Sequence, residues 1–172
     1  LKRNEVRNAA VLAWLLNPRG SHGQGSRFLE AVLQPVAAAL PNSLEFRLLQ
    51  EAFVQTEQRP LGSDRDRVDI VVQGDGVLIF FEVKIDAPEG HQQIDRYREA
   101  ARKKAEVLCN LSGTPCRTII AYLAPSRKFQ TEPDLVSITW ADVARALIAA
   151  CDGVPHIVGM LVRSFANHVR RF

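Results

Sequence analysis

The fold is decided by residues 67–84, which read Arg67-Val-Asp-Ile-Val-Val-Gln-Gly-Asp-Gly-Val-Leu-Ile-Phe-Phe-Glu-Val-Lys84. Two runs of apolar, β-branched and aromatic residues flank Asp75-Gly76, and Asp-Gly between such runs is a strong signal for a β-hairpin. A two-residue turn at this position predicts that Asp69 lies directly opposite Glu82, with Cβ atoms roughly 5 Å apart. The same register predicts three apolar pairs, which are Gly74 with Val77, Val72 with Ile79, and Ile70 with Phe81.

Two facing carboxylates destabilise a sheet, so the predicted pair needs a partner. A divalent cation is such a partner, because hard ions such as Mg²⁺ are held by one or two carboxylates together with phosphate oxygens. Lys84 shares a face with Glu82, since side chains alternate along a strand. A lysine at this position can orient or polarise an attacking water, or stabilise charge that develops on a phosphate.

A surface ion pair between Lys84 and Glu82, with Asp69 as an ordinary strand-end residue, is the alternative interpretation. The apolar character of both strands argues against it, because such runs are typical of central strands covered on both faces. Carboxylates at the end of a buried hairpin must be paired or bound to metal. The stretch therefore favours a metal-dependent site.

Length and composition predict an ordinary globular protein. The 172 residues are 47% hydrophobic and 24% charged, which suggests a single domain over residues 1–172 with a substantial core. A net charge of +3 and a pI near 9.0 permit a nucleic-acid partner without requiring one. The three cysteines lack metal-ligand spacing, and reduced thiols suggest a cytoplasmic protein. The apolar runs are too short to span a bilayer, so we expect no membrane partner.

The first predicted helix covers residues 4–16, with Asn4 as its cap candidate and Asn17-Pro18 as its stop signal. Glu5 continues the inward stripe of this helix and is a candidate metal ligand. An acid in the first turn is equally what the helix dipole favours. The apolar stripe includes Ala9, Leu12, Ala13 and Leu16.

Strands and helices alternate along the rest of the chain, which predicts an α/β fold. The strand over 117–123 follows a strand and a helix, so we expect it to lie parallel to the second hairpin strand. Besides the hairpin, the predicted strands are 45–58, 117–123 and 135–139, and the later helices are 26–40, 91–108, 140–151 and 153–172.

Polar side chains near the hairpin are candidates for contacts with substrate. Gln93 and Tyr97 lie one turn apart on the predicted helix 91–108 and can reach back over the preceding strand end. The alternative is ordinary packing and hydrogen bonding by the same side chains. Arg67 ends a charged loop that leads directly into Asp69, where it can meet a phosphate backbone or simply be solvated.

The order of these motifs resembles the PD-(D/E)XK nuclease superfamily over roughly residues 4–123, including a branch that is common in bacteria. The residue before Asp69 is Val68, whereas the name-giving motif has proline there. This departure is mild, because the acid does the chemistry. The motifs that carry the resemblance are, in order, Glu5, Asp69, Glu82-Val-Lys84, Gln93 and Tyr97.

The resemblance implies a restriction-endonuclease-like fold, in which helices flank a mixed β-sheet core. It also implies that Asp69 and Glu82 bind Mg²⁺, with Mn²⁺ as a substitute, and that Lys84 is the catalytic lysine. Glu5 matches an acid that many members carry on the first helix. The backbone carbonyl of Val83 is a further implied metal ligand.

The resemblance makes a divalent-metal-dependent nuclease the leading functional hypothesis, with DNA as the expected substrate. Gln93 and Tyr97 match a glutamine–tyrosine helix motif found in one group of these nucleases. One alternative is a nuclease-fold module that binds nucleic acid or protein without turnover, and another is the nuclease domain of a larger defence effector. The intact Asp69, Glu82 and Lys84 argue against a module that has lost activity. A homodimer would suit an enzyme that cuts both strands.

Overall fold

A computed structural model describes residues 4–39, 45–58, 68–85 and 91–172. Arg67, which the sequence predicts to contact phosphate, lies outside these residues. The helices are α1 (Glu5–Leu16), α2 (Arg27–Ala39), α3 (His91–Ser112), α4 (Trp140–Ala149) and α5 (His156–Val169). The strands are β1 (Phe53–Gln58), β2 (Val68–Gly74), β3 (Val77–Val83), β4 (Arg117–Ala124) and β5 (Leu135–Thr139).

The five strands form one mixed sheet in the order β1-β2-β3-β4-β5. The first three strands pair antiparallel, whereas β3, β4 and β5 pair parallel. The predicted parallel placement of β4 beside β3 is therefore confirmed. A mixed sheet flanked by helices also confirms the predicted α/β class and its restriction-endonuclease-like core.

The β2–β3 hairpin has the predicted register. Gly76 adopts a φ of +65° at the turn, a conformation that glycine accommodates without strain. The ladder extends to the pair Ile70–Phe81, and Asp69 and Glu82 are the next residue on each strand. The predicted pairs Gly74–Val77, Val72–Ile79 and Ile70–Phe81 are all present.

The predicted strand over 45–58 is wrong in its first half, where residues Phe46–Leu49 form a 3₁₀ turn. The carbonyl of Leu48 accepts a 2.9 Å hydrogen bond from the amide of Asp75, so this segment caps the hairpin turn instead of extending the sheet. A Cβ atom on Gly74 would lie 2.3 Å from the same carbonyl oxygen. This close approach requires glycine, and alternation in the sequence does not reveal it.

The sheet buries an apolar cluster on each face. The larger cluster joins one face to α1, α2, α4 and α5, and the smaller one joins the other face to α3. Leu78 and Phe80 of β3 belong to the α3 face. Because side chains alternate along a strand, Glu82 lies on that face as well.

The helix ends follow local capping signals. The side chain of Asn4 accepts a hydrogen bond from the amide of Arg7, which confirms the predicted cap of α1. α3 continues to Ser112, beyond the predicted end at residue 108, and α5 begins at His156 instead of residue 153. Among the residues that the structure describes, none of the helices combines the length and apolarity needed to cross a bilayer.

Candidate active site

The candidate site lies where β2 and β3 leave the ladder on the α3 face of the sheet. β3 carries Glu82, which is 1% exposed, and Lys84 follows directly after the strand. Asp69 lies at the start of β2 and is half-buried. A buried carboxylate requires hydrogen bonds or a cation, so the partners of Glu82 define the site.

Three donors converge on the carboxylate of Glu82. The ammonium group of Lys84 forms an ion pair with Oε1. The side-chain amide of Gln93 donates to the same oxygen at 2.7 Å, and the hydroxyl of Tyr97 donates to Oε2 at 2.5 Å. Gln93 also donates to the Tyr97 hydroxyl oxygen at 3.2 Å. The helix α3 therefore reaches back to the strand end, as the spacing of its two polar residues predicts.

Asp69 connects the two strands through its side chain. Its Oδ2 atom accepts a 2.8 Å hydrogen bond from the backbone amide of Val83. The carboxylate of Asp69 is thus fixed at the end of the hairpin, bonded to the residue that directly follows Glu82. The predicted role of the Val83 carbonyl as a metal ligand stays a prediction.

Glu5 reaches the same strand end from the opposite layer. Its Oε1 atom accepts a 2.9 Å hydrogen bond from the amide of Ile85. The carbonyl of Lys84 accepts a 2.8 Å hydrogen bond from the indole Nε1 of Trp140. Sequence reasoning missed Trp140, because it follows Lys84 by 56 residues and no local spacing links the two.

Charge and burial set the protonation of the donors. Burial alone would lower the pKa of Lys84, but its hydrogen bond to Glu82 and the charges of Glu82, Asp69 and Glu5 raise it above its ordinary value. Burial and the neighbouring Glu82 carboxylate raise the pKa of Tyr97. Lys84 is therefore an ammonium cation and Tyr97 a neutral hydroxyl donor at neutral pH.

The structure brings together most of the predicted site residues, whereas their roles stay predictions. Within the described ranges, no group of three or more His, Cys, Asp or Glu side chains has a geometry that could hold a metal ion. The residues that meet at the strand end are Asp69, Glu82, Lys84, Gln93 and Tyr97, with Glu5 bonded to the adjoining backbone.

Fold and site together define a restriction-endonuclease-like protein, with an acid on each strand of a central hairpin and a lysine two residues after the second acid. The sequence model of the PD-(D/E)XK nuclease superfamily matches residues 1–150. The chain belongs to this superfamily. Residues 151–172, which include α5, lie beyond the match. Neither the curated proteins nor the solved structures gave a match.

Proposed function

We propose that this protein is a divalent-metal-dependent nuclease that hydrolyses phosphodiester bonds in DNA. The observation that carries the proposal is the buried Glu82 carboxylate, on which Lys84, Gln93 and Tyr97 converge beside Asp69. An acid–lysine cluster of this kind, at the end of two central strands in a chain of a nuclease superfamily, supports phosphodiester chemistry.

Asp69 and Glu82 fit a hard divalent cation in their donor chemistry. Both offer carboxylate oxygens, and Mg²⁺ is commonly bound through one or two carboxylates, with water and substrate phosphate oxygens as its remaining ligands. A two-carboxylate site of this kind does not require a third acidic ligand from the protein. The carbonyl of Val83 is the further protein ligand we propose, whereas Glu5, whose Oε1 accepts from the Ile85 amide, would hold the adjoining backbone in place. When bound, Mg²⁺ or Mn²⁺ would lower the pKa of a coordinated water and offset phosphate charge.

Lys84 acts in this proposal as a fixed positive charge. Its raised pKa keeps the side chain protonated, so it stabilises negative charge that develops on the phosphate instead of removing a proton from water. The side chain of Lys84 is 16% exposed, so part of it is accessible from the surface. Lys84 also balances the charge of Glu82 before substrate binds.

Gln93 and Tyr97 hold the Glu82 carboxylate in one orientation. Each donates to a different oxygen, so rotation of the carboxylate would break at least one hydrogen bond. Side chains that hydrogen-bond to a metal-ligating residue and fix its orientation commonly contribute about 10- to 100-fold to metal affinity or activity. We propose DNA as the substrate on the superfamily resemblance, and the net charge of +3 is compatible with a nucleic-acid partner.

The proposal is tested by cleavage of circular plasmid, linear duplex, single-stranded DNA and RNA with Mg²⁺, Mn²⁺ or EDTA. Glu82→Gln keeps the shape of the side chain and removes its charge. The matched control is Glu99→Gln, which removes an exposed acid of α3 that pairs with Arg102. We expect metal-dependent cleavage of DNA that is lost in Glu82→Gln and kept in Glu99→Gln.

Two results would contradict the proposal. Cleavage by Glu82→Gln at the parent rate with the same cation would show that the site is wrongly assigned. If the parent protein cleaves none of the substrates with any of the cations, the result would instead favour a module that binds without turnover. The circular substrate additionally separates internal cleavage from attack at ends.

A further inference from the structure

Side chains from two helices hold the peptide unit between Lys84 and Ile85 on both sides. Its carbonyl oxygen accepts from the indole Nε1 of Trp140 at 2.8 Å, and its N–H donates to Oε1 of Glu5 at 2.9 Å. The amide of Lys84 donates to the carbonyl of Leu123 at 2.8 Å. This last bond belongs to the β3–β4 ladder, whose final pair is Val83 with Leu123. β3 ends there, so the two side-chain bonds take the place of the ladder at the next peptide unit, beside the residue whose ammonium reaches Glu82.

The indole of Trp140 is itself held firmly. Trp140 is 1% exposed and is the first residue of α4, where Thr139 and Asp142 form a reciprocal capping box. The ring of Phe172 meets the indole edge-on, with centroids 5.4 Å apart and an interplanar angle of 88°. The ring of His168 meets Phe172 in the same manner at 5.1 Å. Phe172, which lies just beyond the end of α5, therefore packs against the indole and is itself packed against His168 of α5.

We infer that Trp140 is a positioning residue for Lys84, and that Phe172 holds the Trp140 indole in the orientation that this role needs. The catalytic part of this inference rests on the proposed nuclease function. The backbone at residue 84 sets the direction in which the long Lys84 side chain leaves the chain. Displacement of a reacting group by about 1 Å can cost on the order of 100-fold in rate.

A purely structural role makes a different prediction. Any buried indole N–H needs an acceptor, so a hydrogen bond alone is also what ordinary packing requires. Here the acceptor is the carbonyl of Lys84 itself, and the N–H of the same peptide unit bonds to Glu5. A positioning role therefore predicts a local effect at residues 84–85 and on turnover, beyond any loss of global stability.

The variant that isolates the hydrogen bond is Trp140→Phe, which keeps a buried aromatic ring and removes the donor. Trp14→Phe is the matched control, since the only other tryptophan of the chain donates its indole N–H to Ser21 at 3.0 Å. Two measurements are made on both variants and on the parent. They are hydrogen exchange at the Ile85 amide, and kcat and KM for metal-dependent cleavage of duplex DNA.

We expect Trp140→Phe to speed exchange at Ile85 by roughly five- to tenfold, the effect of losing one net hydrogen bond. We expect kcat to fall about 10- to 100-fold because Lys84 is misplaced, with KM for DNA near the parent value. Trp14→Phe should leave the exchange rate at Ile85, kcat and KM at their parent values. Phe172→Leu should give a smaller rise in exchange at Ile85, and it serves as the second variant if Trp140→Phe does not fold.

Exchange at Ile85 and kcat at parent values in Trp140→Phe would overturn the inference. An equal fall of kcat in both tryptophan variants would also overturn it, since this result indicates general loss of stability. If the parent itself cleaves no DNA, the proposed function fails and hydrogen exchange alone decides the positioning role. Faster exchange at Ile85 in Trp140→Phe then supports that role, and unchanged exchange refutes it.

Discussion

His22 and Glu82 are both buried polar side chains, but their partners come from different distances along the chain. His22 is 3% exposed and lies in the turn between α1 and α2. Its Nδ1 atom accepts from the amide of Gln24 at 3.0 Å, so Nε2 carries the proton and donates to the carbonyl of Asn17 at 3.0 Å. Both bonds are local and both involve neutral groups.

The partners of Glu82 come from the residue that follows β3 and from α3, and they include a charged group. Lys84 follows Glu82 by two residues, whereas Gln93 and Tyr97 lie 11 and 15 residues further along the chain. Burial of an ion pair costs desolvation free energy that the pair itself often fails to recover. The hydrogen bonds of His22 are explained by the turn that they close. The Glu82 cluster instead keeps charged groups at a buried position where apolar side chains would also allow the chain to fold. This difference favours a functional role for Glu82 and a structural role for His22.

The largest expected effect is the loss of cleavage in Lys84→Met, which removes the ammonium and keeps much of the side-chain length. We expect a fall on the order of 1000-fold in the rate of metal-dependent DNA cleavage, because the charge that stabilises the phosphate is gone. His22→Gln should cleave at close to the parent rate, since its partners close a turn. Single-turnover kinetics measures both variants. A similar loss of cleavage rate in Lys84→Met and His22→Gln would contradict the functional role of the Glu82 cluster and the structural role of His22.

The second prediction concerns the stability of the ion pair. Lys84→Met leaves the buried Glu82 without its cation, and we expect the free energy of unfolding to fall by about 3 kcal/mol. The double variant Glu82→Gln with Lys84→Met removes both charges, keeps a side-chain oxygen that can accept from Tyr97, and should recover much of that loss. Urea unfolding measures both. A double variant that is no more stable than Lys84→Met would show that the charges are not coupled in the folded state.

The third prediction compares a hydrogen bond to a charged group with one between neutral groups. Tyr97→Phe removes the hydroxyl that donates to Glu82, and we expect a loss of about 2 kcal/mol in the free energy of unfolding. Trp14→Phe removes the neutral bond to Ser21 beside His22 and should cost about 1 kcal/mol. Tyr97→Phe should also reduce cleavage about tenfold, because Glu82 is then held by fewer donors. Equal losses of stability and full activity in Tyr97→Phe would contradict this comparison.

Local spacing made much of the fold and site predictable. The Asp75-Gly76 turn and the alternation around it fix the hairpin register, and the register places the acidic residues at one strand end. The one-turn spacing of Gln93 and Tyr97 likewise places both on the face of α3 that meets Glu82. These relations depend on neighbours in the chain, which is why the sequence reveals them.

Contacts between distant segments were not predictable in this way. The first half of the predicted strand 45–58 is a 3₁₀ turn whose Leu48 carbonyl lies against Gly74 and Asp75, although its alternation is typical of a strand. The hydrogen bond from Trp140 to Lys84 joins the start of α4 to the end of β3. Alternation and helical period carry no information on which distant side chain meets a given carbonyl.

The smallest expected effect is a dependence of stability on pH that originates at His22. Burial lowers the pKa of His22 below its usual value of 6.5, and protonation of Nδ1 would remove the acceptor for the Gln24 amide. The unfolded chain therefore binds the proton more readily than the folded protein. The stability that His22 contributes is present above pH 6.5 and is lost as the pH falls through the folded pKa. Urea unfolding between neutral and mildly acidic pH should show a smaller loss of stability in His22→Gln than in the parent. His156→Gln, which replaces an exposed histidine at the start of α5, should lose stability as the parent does, and an identical pH dependence in all three proteins would refute the structural role of neutral His22.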